Sequence, residues 1–207
     1  MSENRKFSVL MSVYVKENPA FLEEAVESIL HQTLKPSEVV IVEDGPLTPE
    51  LYQVLEKLEA QSSIPIKRCP LEQNRGLGLA LQYGVLQCQY DVIARMDTDD
   101  IAVEDRFEQQ FELMEKENLD LLGGHIAEFI DQPDEIVSYR RVPTKHEDIV
   151  AYQRMRSAFN HMTVMFKKEM VLKAGNYEDG LYMEDDLLWL NMISAGARTG
   201  NVDQILC

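Results

Sequence analysis

Cysteine is scarce in this chain and shows no pairing pattern. Cys69, Cys88 and Cys207 are the three in 207 residues, and no two form a C-x-x-C pair. An odd count at such spacings argues against a disulfide framework and against metal–thiolate chemistry, and it fits a reducing cytoplasm. Basic residues are also few: 20 Lys and Arg stand against 36 Asp and Glu, a formal net charge of −16. That balance disfavours nucleic acid and bare anionic membrane as partners. An anionic substrate would need local compensation by a metal or by helix N-termini. Long apolar runs are missing. The stretch Phe7 to Val15 is far below spanning length and lacks a cleavage-site pattern, so neither a transmembrane segment nor a signal peptide is expected. There is no internal repeat and no low-complexity linker. A dinucleotide fingerprint is absent too, because Leu81 stands where the loop Asn74-Arg75-Gly76-Leu77-Gly78 would need its third glycine. No P-loop lysine follows either, and a dehydrogenase is disfavoured.

What remains is an ordinary soluble composition, 45% apolar and 27% charged, long enough for one large domain with a buried core. Phe7 to Val13 reads as a buried strand. Asn18-Pro19 opens a helix with Phe21, Leu22, Ala25, Val26, Ile29 and Leu30 on one face. Val39 to Val42 is a second strand without polar alternation, as expected when both faces are covered. Leu51, Val54, Leu55 and Leu58 mark a helix, Ile64 to Arg68 a strand, Leu77 to Leu86 a helix, and Val92 onwards a fourth strand. This alternation predicts an α/β fold, a mainly parallel, doubly wound, Rossmann-like sheet with helices on both faces. Residues 101–207 read as a smaller, less regular half. There a helix at Phe107, Phe111 and Met114 precedes strand-like Leu121-Leu122 and Ile126 to Ile130. An edge strand over Ile136 to Val142, a helix over His146 to Met155 and a strand-like His161 to Phe166 follow. A helix begins near Glu184. The strand-like Val202 to Cys207 has no successor, so the native protein is expected to continue past it.

The chain is organised around Val92 to Asp100, where an apolar run breaks into Asp97-Thr98-Asp99-Asp100. Acids at the C-terminal end of a strand in an open α/β sheet stand where such folds bind ligands. Clustered carboxylates repel one another unless a cation compensates, and hard oxygen donors suit Mg²⁺, Mn²⁺ or Ca²⁺. An EF-hand does not fit: with Asp97 at position one, Ile101 and Ala102 fall where a ligand and a glycine are required. Asp44 ends the second strand at the same edge, where it could accept from a base or a ribose, or simply form an Asp-Gly turn. Asn74 to Gly78 alone reads as glycine punctuation before a helix. Met183-Glu184-Asp185-Asp186 opens a helix, where the dipole favours acids. One of them could be held as a general base. His31, His125 and His146 show no ligand spacing, and His161 could reach a diphosphate.

Five segments in order, Val9 to Tyr14, Val42 to Gly45, Asn74 to Gly76, Arg95 to Asp100 and Glu184-Asp185, together resemble the family-2 glycosyltransferases of the GT-A fold. The resemblance runs from Phe7 to about Leu206, a single GT-A domain over 1–207. It divides into a nucleotide-binding half (1–100) and an acceptor-binding half (101–207). It implies an inverting, metal-dependent hexosyltransferase of the polysaccharide or cell-surface glycan type. The donor would be a nucleotide-sugar, commonly UDP-linked, and the acceptor a glycan or lipid-linked glycan. By the same resemblance Ser12 and Tyr14 border the nucleoside, Asp44 contacts the base, and Asn74, Gly76 and Arg95 belong to the nucleotide-sugar site. Asp97 would hold the ribose or donor sugar, Asp99 with Asp97 would hold Mn²⁺ or Mg²⁺, and Asp185 would be the base, with Glu184 shaping the site. The expected location is the cytoplasm or the inner face of the plasma membrane. Glu43, Val15, Gln82 and Asn191 depart from the family's commoner residues, so no donor sugar is carried over. Two rivals stay in view. A sugar-1-phosphate nucleotidyltransferase would need a glycine-rich basic loop after the first strand, and a non-catalytic nucleotide-sugar-binding module would not need Asp185.

Overall fold

The structure, a computed structural model, describes residues 5–130, 132–179 and 183–207. Its first half alternates β1 (Phe7–Val13), α1 (Pro19–Leu30), β2 (Glu38–Glu43), α2 (Pro49–Gln61), β3 (Ile66–Pro70), α3 (Leu77–Gln87) and β4 (Val92–Arg95). Local chemistry sets these boundaries. The Asn18 side chain accepts the Ala20 N–H at 2.9 Å and Thr48 caps α2 through Leu51 N, each with a proline at the first helical position. The third strand lies two residues later than expected. The Val39 N–H donates to the Pro65 carbonyl and the Leu71 N–H to the Glu43 carbonyl, which sets the register against β2. Pro70 is tolerated because β3 is the sheet edge.

Four strands in the order β3-β2-β1-β4 are parallel, and the residues of β1 and β2 alternate between two cores. Val9, Met11, Val39 and Ile41 pack with helices α1 and α2, while Leu10, Val40 and Val42 pack with α3. Burial on both faces explains why β2 has no polar alternation. Gly84 of α3 allows close approach of helix to sheet: a Cβ there would strike Leu10 and come within 2.9 Å of Val42 Cγ2.

The second half extends the same sheet. It comprises α4 (Arg106–Glu117), β5 (Leu121–Phe129), β6 (Ile136–Arg140), α5 (His146–Tyr152), β7 (Met165–Lys167), α6 (Lys168–Lys173), α7 (Glu184–Ser194) and β8 (Thr199–Ile205). β7 pairs antiparallel with both β4 and β5, β6 pairs antiparallel with β5, and β8 runs parallel to β5. Three expectations change. Leu121-Leu122 and Ile126 to Ile130 are one continuous strand, since Gly123 and Gly124 leave room for Asn201, Thr163 and Leu206 against it. His161 to Thr163 is a short 3₁₀ turn rather than strand, because Thr163 Oγ1 donates back to the Asn160 carbonyl at 2.8 Å. The short helix α6 follows β7 without a break and was not expected. Arg106 pins α4 to the end of β4, donating to the Arg95 carbonyl at 2.7 Å from a fully buried position.

Candidate active site

The C-terminal ends of β1, β2 and β4 and the N-terminus of α3 enclose a cleft of about 440 Å³. Ser12, Tyr14, Asp44, Asn74, Gly76, Asp97 and Asp99, all expected at the site from the sequence, line it. Glu17, Leu77 and Thr98 line it as well. The topology is the reason: three parallel strands stop in register at one edge, and each hands its next residues to the same space.

Asp44 organises one wall. Its Oδ1 accepts the Arg75 N–H at 2.7 Å and its Oδ2 the Gly76 N–H at 2.9 Å, while Asn74 Nδ2 donates to the Asp44 carbonyl at 3.2 Å. Gly45 and Gly76 take φ of +85° and +87°, which favours glycine at both. A Cβ on Gly45 would also lie 2.5 Å from the Asn74 backbone nitrogen. The Asp-Gly turn and the glycine loop are therefore one locked unit, and the carboxylate oxygens still have lone pairs to offer a ligand.

The opposite wall is acidic. Oxygens of Asp97, Asp99 and Asp100 lie within 4.8 Å of one another. Burial first, and then the neighbouring acids, push Asp100 up to about 6 and raise Asp99. Glu17 is raised by the same two effects. Hard oxygen donors gathered against their own repulsion fit a divalent cation such as Mn²⁺ or Mg²⁺. Behind them the guanidinium of Arg95, 1% exposed, pairs with Asp97. Arg95 does not line the cleft.

The start of α7 packs against the first turn of α3, beside the cleft, and neither Glu184 nor Asp185 is among the residues that line it. Gly78 makes this possible: a Cβ there would lie 2.9 Å from the Glu178 carbonyl and 3.4 Å from the Glu184 stem. Among the three acids of α7, Asp186 is engaged, its Oδ1 accepting Gln153 Nε2 at 2.7 Å. Asp185 is half-buried, and burial, followed by the charges of Asp186 and Glu184, raises its pKa. His161 lies behind this wall rather than in the cleft, its Nε2 3.0 Å from the Tyr177 hydroxyl and its ring against Trp189. Burial, and then the charge of Arg95, holds its pKa well below the ordinary histidine value. Sequence reasoning missed Glu17, which stands at no motif position. The only signal available was that it follows Tyr14 in the loop leaving β1.

The fold around this cleft is that of the GT-A glycosyltransferases. The sequence model of glycosyl transferase family 2 matches residues 8–173, and the chain belongs to that family. Relatives among characterised and catalogued proteins include an uncharacterized glycosyltransferase of Haemophilus influenzae, 46% identical over 97% of this chain and 74% of its own length. Amylovoran biosynthesis glycosyltransferase AmsE of Erwinia amylovora is 42% identical over 97% of this chain and 74% of its own length. The Escherichia coli UDP-Gal:alpha-D-GlcNAc-diphosphoundecaprenol beta-1,3-galactosyltransferase is 39% identical over 97% of this chain and 72% of its own length. Among solved structures, Staphylococcus aureus TarS 1-349 in complex with UDP-GlcNAc superposes with a TM-score of 0.74 at 19% identity, covering 97% of this chain and 57% of that one. Mannosyltransferase PcManGT of Pyrobaculum calidifontis, in complex with GDP-Man and Mn²⁺, gives 0.73 at 15% identity, over 97% of this chain and 55% of that one. These two likenesses establish the fold. The chain spans about three quarters of the curated relatives and a little over half of these structures. Among the described residues no helix is long and apolar enough to cross a membrane.

Proposed function

We propose that this chain transfers a hexose from a UDP-linked donor to a hydroxyl of a lipid-linked glycan during surface polysaccharide synthesis, with inversion at the anomeric carbon. One observation carries the reading: a single cleft brings Ser12, Tyr14, Asp44, Asn74 and Gly76 together with Asp97 and Asp99 of the acid cluster, and a separate carboxylate, Asp185, stands outside that lining on a helix from the other half of the chain. The acceptor named for the E. coli relative supports the lipid-linked class.

In the proposed reaction the base and ribose lie between Tyr14 and the loop locked by Asp44. Asp97, Asp99 and Asp100 would hold Mn²⁺ or Mg²⁺, which when bound supplies Lewis-acid neutralisation of the diphosphate. Arg95, paired with Asp97, holds that side chain in place. Asp185 takes the proton of the acceptor hydroxyl as its oxygen bonds to the anomeric carbon. The bond to the donor phosphate breaks, and its electron pair leaves with UDP. Attack opposite the leaving group inverts the centre. The raised pKa of Asp185 suits a base, because a stronger base accepts the proton more readily.

The test is to incubate the chain with UDP-sugars, Mn²⁺ and a lipid-diphosphate-linked sugar, following UDP release and product mass. Transfer that disappears in Asp185→Asn with UDP affinity unchanged supports the reading. UDP-sugar binding without transfer or hydrolysis would assign a binding module instead.

A further inference from the structure

The first turn of α7 carries three consecutive carboxylates, Glu184, Asp185 and Asp186, and Met183 before it makes no side-chain cap to its amides. Neighbouring like charges repel, so the turn needs an anchor from elsewhere. Among the described residues, the side chain of another element that bonds to one of the three acids is Gln153, just after α5 and 4% exposed.

The amide of Gln153 is oriented from both ends. Its Oε1 accepts the Ala158 N–H at 2.8 Å. A backbone N–H can only donate, so the Nε2 end has to face Asp186, whose Oδ1 accepts from it at 2.7 Å. Ala158 is anchored in turn. Its carbonyl accepts Asn201 Nδ2 at 3.0 Å, and the same Nδ2 donates to the Pro143 carbonyl at 2.6 Å. Asn201 Oδ1 accepts the Gly123 N–H at 3.0 Å. Gln153, Ala158 and Asn201 are all buried. A line of hydrogen bonds therefore runs from β5 through Asn201 of β8 and the 153–158 loop to the start of α7, and a satisfied buried network of this kind rigidifies what it joins. Successive helical residues are turned from one another by about 100°. Fixing Asp186 on Gln153 thus fixes the direction in which Asp185 leaves the same turn.

We propose that Gln153 is a positioning residue for Asp185: by holding Asp186 it sets the rotation of the first turn of α7 and aims the neighbouring carboxylate at the acceptor hydroxyl. This rests on the sugar-transfer reading above and adds to it the residue, from a different element, that orients the base.

The test compares the whole native chain with Gln153→Glu, Asp186→Asn and the two changes combined. Gln153→Glu keeps the side-chain shape and the acceptor for Ala158 but sets a carboxylate against Asp186. Adding Asp186→Asn restores the bond with the donor on the other side. Each protein is assayed for sugar transfer from a UDP-sugar with Mn²⁺ to a lipid-diphosphate-linked sugar, for UDP affinity by calorimetry and for its melting temperature. Gln153→Glu is expected to lower kcat about tenfold or more, since a small misplacement of a reacting group is enough for that. The donor KM and the UDP affinity stay unchanged, which reports an intact nucleotide cleft. The combined change is expected to recover kcat at least to the level of Asp186→Asn alone. A Gln153→Glu chain that melts lower but keeps its kcat overturns the proposal, because Gln153 would then only stabilise the fold. So does a combined change that restores the melting temperature and leaves kcat as low as in Gln153→Glu. Transfer absent from the native chain counts against the enzymatic reading, and this role falls with it. Transfer present in the native chain and undiminished in Gln153→Glu counts against this inference alone.

Discussion

The carboxylate of Asp44 receives the backbone N–H of Gly76 at 2.9 Å, across 32 positions of sequence. With the matching bond from Arg75, it turns two separate turns into one wall of the cleft. Asp44→Ala would release both amides, and each donor left unpaired costs on the order of 1–3 kcal/mol. Urea unfolding of the variant should show a stability loss of that order. Calorimetry should show weaker UDP binding, with uridine and cytidine nucleotides weakened unequally where the base contacts this carboxylate. Equal losses would leave Asp44 a purely structural anchor.

Asp99→Asn tests the acid cluster. The three carboxylates repel a diphosphate unless a cation intervenes, so the native chain should bind UDP much more tightly with Mn²⁺ or Mg²⁺ than with a chelator present. In the variant this ratio should shrink towards one. A ratio unchanged by the substitution would remove Asp99 from the metal site.

Asp185 should set the acidic limb of the rate profile. Its pKa is raised in the folded chain, so the ionised base is lost as pH falls through a value above the usual carboxylate range. The sign for stability is opposite to that of a salt-bridged acid. The raised group favours the folded state below its unfolded pKa, and that contribution is lost as pH rises through the folded one. Transfer should therefore drop on acidification while thermal stability gains from this one group. Asp185→Asn should lower the rate by roughly 10²–10⁴-fold and abolish that limb. Asp186→Asn should weaken the Gln153 contact and reduce the rate far less. The reverse ranking would move the base by one residue.

Gly84 and Gly45 separate packing from binding. Gly84→Ala forces a methyl against Leu10 and Val42 in a close-packed core, for a cost of about 1–3 kcal/mol with UDP affinity retained. Gly45→Ala places its methyl on the Asn74 backbone at a positive φ, so it should lose UDP affinity as well as stability. Melting curves with and without UDP distinguish the two patterns.

The first half was legible because its signals are local. Val39 to Val42 is apolar throughout since both its faces are covered, and Asn18-Pro19 announces a helix through capping. Asp44, Asp97 and Asp99 could be placed in one cleft because parallel strands share a C-terminal edge. The second half was less legible because its strands are fixed by distant partners. His161 to Thr163 has strand-like composition, yet it turns because Thr163 and Asn160 bond to each other and to Gly124. The family resemblance put Arg95 in the nucleotide-sugar site. Only the packing shows it buried behind Asp97.

The strand order has a consequence for the chain as it is being made. β4, which carries the acids, is flanked on one side by β1 and on the other by β7. β7 arrives only with Met165, about 70 residues after Arg95. At about 5–20 residues per second that interval is roughly 4–14 s on the ribosome. During it the Val92–Arg95 backbone is an open edge able to recruit a foreign strand. The charges that immediately follow, Asp97, Asp99 and Asp100, guard that edge. The same three carboxylates that gather a cation in the finished protein would keep the unfinished one from pairing with its neighbours.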